Sequence, residues 1–288
     1  MKLSLPARTL AILSTALLAT GLCFAQGNPA ALKTRHAALQ PQLAQNAYGR
    51  PLHIESFESG DTLRGEVHAV VDHPFPEVLD MLKSRDNWCD ILILPFNVKQ
   101  CLAPKDSSTI SLRVGRKSDQ PVEDAHLVSF TYKLAASSAS HLQVQLSAEE
   151  GPLGTHDYRI VVEAIPIDAK RSFIHLSYSY GYGLAAKVAM KAYLATTGSD
   201  KVGFSVTEHG AKGEPVYVKG VRGVVERNAM RYFLAVDAYL GAPEQTDRRL
   251  RDWFKASEQY AVQLHEMDLP EYLSMKTREI NRQAKVGS

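Results

Sequence analysis

Residues 61–82 read Asp61-Thr62-Leu63-Arg64-Gly65-Glu66-Val67-His68-Ala69-Val70-Val71-Asp72-His73-Pro74-Phe75-Pro76-Glu77-Val78-Leu79-Asp80-Met81-Leu82. Up to Val71 the period is two. Leu63, Gly65, Val67, Ala69 and Val71 alternate with Thr62, Arg64, Glu66, His68 and Val70, which makes a strand with one buried face. At Asp72-His73-Pro74 the period changes. Pro76 falls early in a helix whose apolar stripe is Val78, Leu79, Met81 and Leu82. Just upstream, Leu52, Ile54 and Ser56 alternate and Ser59-Gly60-Asp61 turns, so the strand is the second arm of a hairpin.

Downstream, a short helical turn over residues 86–92 carries Trp88. Six strand-like runs follow, at residues 96–102, 109–116, 125–136, 141–149, 156–167 and 172–183. Their connections are short, which forces antiparallel neighbours, because a parallel pair needs a long crossover. One predicted face carries His126, Val128, Phe130, Tyr132 and Leu134. The next strands offer Leu142, Val144 and Leu146, then Tyr158, Ile160, Val162 and Ala164, then Ile174, Leu176, Tyr178, Tyr180 and Tyr182. Runs longer than ten residues must curl around something. After Gly183 the period returns to 3.6. A helix is expected over residues 184–195 and a Gly-broken stretch with room for a hairpin over 202–218. The strongest helix covers 221–240, with Val225, Ala229, Tyr232, Phe233, Val236 and Leu240 on one stripe. A second helix is expected over 243–267 and a last one from Asp268-Leu269-Pro270 to about residue 283.

Strand, two helices, six antiparallel strands and a long helix is the element order of the START-like (SRPBCC, birch-pollen-allergen-like) superfamily. The stretch Gly65 to Leu82 resembles that family's opening strand and first helix, and Asp86-Asn87-Trp88-Cys89 resembles its tryptophan turn. The resemblance spans roughly residues 52–240 and implies an α+β helix-grip fold: a curved antiparallel sheet wrapped round a C-terminal helix, with a hydrophobic cavity between them. Two departures stand out. About 37 residues separate Gly183 from Val221, and the helical tail past Gly241 has no counterpart, so it would cap the cavity or pair subunits. The expected organisation is a signal peptide at 1–25, a helical lead-in at 26–50, the helix-grip domain at 51–240 and a helical extension at 241–288. The implied ligand face comprises Leu112, His126, Val128, Phe130, Tyr132, Tyr158, Ile160, Leu176, Tyr178, Tyr180 and Tyr182, with Tyr232 and Phe233 from the long helix. Tyrosine is informative there because each ring is apolar in bulk yet carries one hydroxyl that needs a partner when buried. The alternative is an ordinary filled core.

The N-terminus reads as an address. Lys2 and Arg8 precede an uncharged run over residues 9–24 that ends in Cys23-Phe24-Ala25, small residues at the −3 and −1 positions of a signal-peptidase site. Cleavage after Ala25, to a periplasmic or secreted location, is preferred over lipidation at Cys23, because Leu22 stands where Gly or Ala belongs. An uncleaved anchor is the third option. Of 33 cations and 31 acids, the removed piece holds two cations and no acid, so the mature chain is balanced. Without a basic excess, nucleic-acid binding loses its main driving term. The remaining cysteines, Cys89 and Cys101, form a candidate disulfide in an oxidising compartment, the alternative being two buried thiols. At 45% apolar and 22% charged, the chain is too apolar for disorder.

Other motifs are weaker. Gly181-Tyr182-Gly183-Leu184-Ala185-Ala186 matches GxGxxA, but at the end of an antiparallel run rather than the start of a βαβ unit, so no dinucleotide and no other cofactor is expected. The histidines show neither HxH nor HExxH spacing, and no metal site is expected from them. Binding or transport of a lipid or other apolar small molecule is the first functional reading. An enzyme of cyclase or dehydratase type is the second, with His126 and Tyr132 or Tyr158 as its acid/base pair. The third is a scaffold whose C-terminal helices meet a protein partner or a membrane surface, which requires Trp253, Phe254 and Tyr260 to be exposed.

Overall fold

The computed structural model describes residues 28–286 apart from residue 197, so the signal-peptide segment at 1–25 lies outside the described residues. Two short helices, α1 (Pro29–Ala38) and α2 (Gln40–Ala44), lead into the hairpin β1 (Leu52–Ser59) and β2 (Thr62–Val71). Helices α3 (Phe75–Leu82) and α4 (Asn87–Leu92) follow. Then come β3 (Val98–Leu102), β4 (Thr109–Val114), β5 (His126–Ser138), β6 (His141–Glu150), β7 (Thr155–Pro166) and β8 (Ser172–Tyr182). The second half holds α5 (Leu184–Ala195), a small hairpin β9 (Val206–His209) and β10 (Pro215–Tyr217), α6 (Gly220–Gly241), α7 (Thr246–Glu258), α8 (Ala261–Leu264) and α9 (Leu269–Val286).

Strands β1 to β8 form one antiparallel sheet in the order β1-β2-β8-β7-β6-β5-β4-β3. Consecutive strands pair through short turns, except where α3 and α4 carry the chain from β2 to the far edge at β3. The concave face buries the alternating residues of each strand, among them Val67, Val144, Val162 and Leu176, in one core shared with α3, α4 and α6. This is the helix grip implied by the order of elements. Gly65 makes the grip close. A Cβ there would lie 2.8 Å from the Val225 carbonyl oxygen and 3.1 Å from the Ala229 Cβ, so only glycine lets α6 sit this near β2. Trp88 donates from Nε1 to the Leu82 carbonyl at 3.0 Å and Cys89 is joined to Cys101, which staples α4 to β3.

The tail packs on its own domain. Phe96, Trp253 and Tyr272 form an aromatic knot, with ring centroids 5.0 to 5.3 Å apart. Trp253 donates to the Arg231 carbonyl and Tyr272 to that of Leu94. Lys276 is fully buried and donates to the Pro95 and Val98 carbonyls and to Glu279. Trp253, Phe254 and Tyr260 are therefore buried, contrary to what a scaffold acting through them requires. Nor does the tail cap the cavity described below. It covers the back of α6, which makes that helix buried nearly all round rather than along one stripe. Its charges are matched accordingly: Arg231 pairs with Glu266 at 2.6 Å and Arg227 donates to the Val202 carbonyl. The single helix expected over 243–267 is broken at Gln259–Tyr260. There the tyrosine turns inward, its hydroxyl donating to the Tyr48 carbonyl and its ring meeting Phe204 at 5.5 Å.

The inserted hairpin is tied down by one buried carboxylate. Glu226 of α6 accepts from the backbone N–H groups of Phe204 and Ser205 and from the hydroxyls of Ser205 and Ser56. Among the described residues, no helix is long and apolar enough to cross a membrane.

Candidate functional site

Between the concave face of β4, β5, β7 and β8 and the helices α5 and α6 lies a cavity of about 360 Å³. Its sheet side is Leu112, Val114, Val128, Phe130, Tyr158, Tyr178 and Tyr180. Helix α5 contributes Ala186, Ala189, Met190 and Tyr193, which stand at the i, i+3, i+4 and i+7 positions of one helical face. Helix α6 contributes Val224, Asn228 and Tyr232. Leu153 also lines the cavity and is 68% exposed, so the space reaches the surface there. Its backbone is left-handed at φ 58°, a costly conformation for a bulky residue. Leu184 and Val188, on the outer side of α5, are exposed as well.

A bulge aims one of the tyrosines. Between His156 and Arg159 β7 carries one residue more than β8, with Asp157 at φ 51°. Such an insertion rotates the following side chains relative to the partner strand. The Tyr158 ring then lies over Gly151, where a Cβ would come within 2.3 Å of it. The Tyr158 hydroxyl donates to Thr155 Oγ1 at 2.8 Å, and Thr155 in turn donates to the Pro152 carbonyl. The ring stacks on Tyr180 at 5.3 Å and meets Phe130 edge-on at 6.3 Å. Tyr178 lies 5.2 Å from the Tyr232 ring. Burial pushes the phenol pKa values of Tyr158, Tyr178, Tyr180 and Tyr232 above the ordinary value, so all four are neutral donors at physiological pH. Among the described residues, the hydroxyls of Tyr178, Tyr180 and Tyr232 and the Asn228 amide have no hydrogen-bond partner. The cavity is thus an apolar space with a few unused polar points.

Of the residues singled out from the sequence, Leu112, Val128, Phe130, Tyr158, Tyr178, Tyr180 and Tyr232 line this cavity. The others do not. His126 is exposed at the start of β5 and borders, with Arg116, Gln120 and Asp124, a surface hollow that adjoins the cavity mouth at Val114, Pro152 and Leu153. The alternation is correct, but β5 starts beyond the cover of the helices. Tyr132 lies farther along the strand, where its hydroxyl donates to the Lys83 carbonyl at 2.5 Å. An acid/base pair of His126 with Tyr132 or Tyr158 is therefore not assembled in the cavity. Ile160 and Leu176 share the concave face but are sealed into the closed core. Tyr182 sits at the strand end, donating to Glu58 beneath the Lys187 ammonium. Phe233 turns to the side of α6 that meets Arg50, whose guanidinium is 5.2 Å from its ring centroid. The α5 residues and Asn228 were missed, although the spacing of Ala186, Ala189, Met190 and Tyr193 was a readable signal.

No family model matches this chain, and no curated protein does. Solved structures that it resembles include norcoclaurine synthase from Thalictrum flavum in complex with a transition-state analogue, at TM-score 0.35 and 18% identity over 50% of this chain and 89% of that one. Ara h 8.0201 is similar at TM-score 0.34 and 9% identity, over 66% of this chain and 99% of that one. A conserved protein from Geobacillus kaustophilus is similar at TM-score 0.32 and 12% identity, over 47% and 85%. Likeness at this level carries no functional information.

Proposed function

We propose that this chain is an exported binding protein that holds one small apolar molecule in the cavity between β4, β5, β7, β8 and α5–α6. The observation that carries the reading is the unfilled space beside four tyrosines, three of whose hydroxyls have no partner among the described residues. Burial of apolar ligand surface would drive binding at about 25 cal/mol per Å² before ordering costs. The free hydroxyls and Asn228 would orient a single polar end. A volume of about 360 Å³ is near the lower end of ligand pockets, roughly 300–1,000 Å³, and favours one short chain or ring system over a two-chain lipid. Leu153, Leu184 and Val188 offer an apolar approach beside the mouth. Removal of residues 1–25 and a periplasmic location belong to the same proposal, and the Cys89–Cys101 disulfide supports an oxidising compartment. N-terminal sequencing of the chain recovered from the periplasmic fraction tests that part.

The cavity is tested by titrating the purified protein with single-chain fatty acids of graded length and with an apolar fluorescent probe. Ala189→Trp places an indole in the space and is expected to weaken uptake at least tenfold while the fold, read by circular dichroism, is retained. Equal binding by wild type and Ala189→Trp would place the ligand elsewhere and end the proposal.

A further inference from the structure

The convex face of the sheet carries a second group of titratable side chains, remote from the cavity. Across four neighbouring strands His53, His68, His175 and Glu163 stand in register, and Glu55 faces Glu66 on the same side. Helix α1 lies over this row, and its capping residue Asn28 with Leu32 and Arg35 shares with Glu66, His68 and His175 a second cavity of about 290 Å³.

The polar contacts leave particular atoms free. Arg35 of α1 takes Glu55 as its partner. Arg64 Nε holds Glu66 Oε1 at 3.2 Å, which leaves Oε2 facing His175. Glu163 Oε2 stands 3.1 Å from His175 Nδ1, so the ring directs Nε2 inward, 3.7 Å from Glu66 Oε2. His68 is 2% exposed, and its Nδ1, like His175 Nε2, is buried without a hydrogen-bond partner among the described residues. One donor atom from each of Glu66, His68 and His175 falls within 4.8 Å of the others. A buried imidazole nitrogen without a partner is expensive. A histidine held by a carboxylate at one nitrogen and open at the other is how proteins present this ligand to a metal.

We propose that Glu66, His68 and His175 bind one divalent transition-metal ion of the zinc class, with Glu163 positioning His175 and a water in the space beneath α1 completing the shell. Donors on a tetrahedral ion with bonds of 2.0–2.1 Å are about 3.4 Å apart. Glu66 and His175 are within a few tenths of an ångström of that. The His68 and His175 rings are stacked, with centroids 4.4 Å apart and planes at 9°, so the His68 ring turns about its terminal side-chain torsion to bring Nδ1 onto the same ion. Two imidazoles and a carboxylate suit zinc and its neighbours rather than magnesium or calcium, which prefer all-oxygen shells. No spacing rule applied to the sequence finds this set, because His175 lies about a hundred residues from the Glu66–His68 pair.

The test is titration of the chelator-treated, purified protein with Co²⁺ and then Zn²⁺. The expected result is one Co²⁺ per chain with visible ligand-field absorption, displaced by Zn²⁺, and a melting temperature that rises with Zn²⁺. Glu66→Gln and His175→Gln should each weaken binding at least tenfold, whereas exposed His209→Gln should leave it unchanged. Should either ligand variant fail to fold, Glu163→Gln keeps all three donors and should still lose roughly 10–100-fold. Absence of saturable binding overturns the proposal, as does binding that survives unchanged in Glu66→Gln, His175→Gln or Glu163→Gln.

Discussion

Gly65→Ala tests the grip directly. The added methyl carbon would stand 2.8 Å from the Val225 carbonyl oxygen and 3.1 Å from the Ala229 Cβ. Comfortable contacts between such atoms are about 3.5–4.0 Å, so α6 must withdraw by roughly 0.5–1 Å along this line. Neither neighbour is the flexible end of a side chain: one is helix backbone and the other is a Cβ with nothing beyond it. Overpacking of this kind costs about 1–3 kcal/mol. Against it stands a gain of about 0.5–1 kcal/mol for replacing glycine by alanine within a regular element. The net expectation is a loss of about 0–2.5 kcal/mol, centred near 1 kcal/mol, at roughly 2 °C in Tm per kcal/mol for a domain of this size. Urea unfolding followed by circular dichroism would measure it. Adding Ala229→Gly removes the 3.1 Å clash but not the 2.8 Å one, so it should restore only part of the loss. Val224, Asn228 and Tyr232 reach the cavity from the same helix, so probe affinity should fall with stability. A Gly65→Ala protein as stable as wild type, with unchanged affinity, would refute the close approach as a constraint on the fold.

Glu226→Ala removes the acceptor of the buried Phe204 N–H, the half-buried Ser205 N–H and the Ser56 hydroxyl, and leaves the Ser205 hydroxyl only the Ile54 carbonyl at 3.4 Å, and should cost about 3 kcal/mol; amide hydrogen exchange should accelerate at Phe204 and Ser205 before the rest of the domain. Alkaline pH should unfold the protein cooperatively. Burial raises the phenol pKa of Tyr132 to about 12 and lifts those of Tyr158, Tyr178, Tyr180 and Tyr232 as well. Unfolded tyrosines ionise near pH 10, so the unfolded chain gives up these protons first. Their stabilising contribution is intact below about pH 10 and is lost progressively as pH rises above it. Tyrosinate absorbance should show exposed tyrosines titrating near pH 10 and the buried set appearing only with the loss of circular dichroism. A cavity set that titrates near pH 10 in the folded protein would contradict its burial.

Much of this architecture was legible as periodicity. The switch at Asp72-His73-Pro74 from alternation to a helical stripe, the short links between six strands and the return to a 3.6 period after Gly183 are local properties of the chain. Local sterics and the burial of one face act on them directly. They were sufficient for an antiparallel sheet, a long helix and the hairpin insertion. The pairing of Cys89 with Cys101 was also within reach, because few partners existed. Three features were not. The place of Tyr158 depends on an extra residue in β7, which no alternation count registers. The burial of Arg227, Arg231 and Glu226 depends on a tail and a hairpin that fold back onto α6 from elsewhere. Which of the concave-face residues meet open space and which are sealed depends on how side-chain volumes from β4 to β8, α5 and α6 sum across the interior. The meeting of Glu66, His68 and His175 depends on β2 and β8 lying side by side. Sequence spacing governs what neighbours along the chain do; space between elements and encounters across strands are sums over the whole fold, and only tertiary packing decides them.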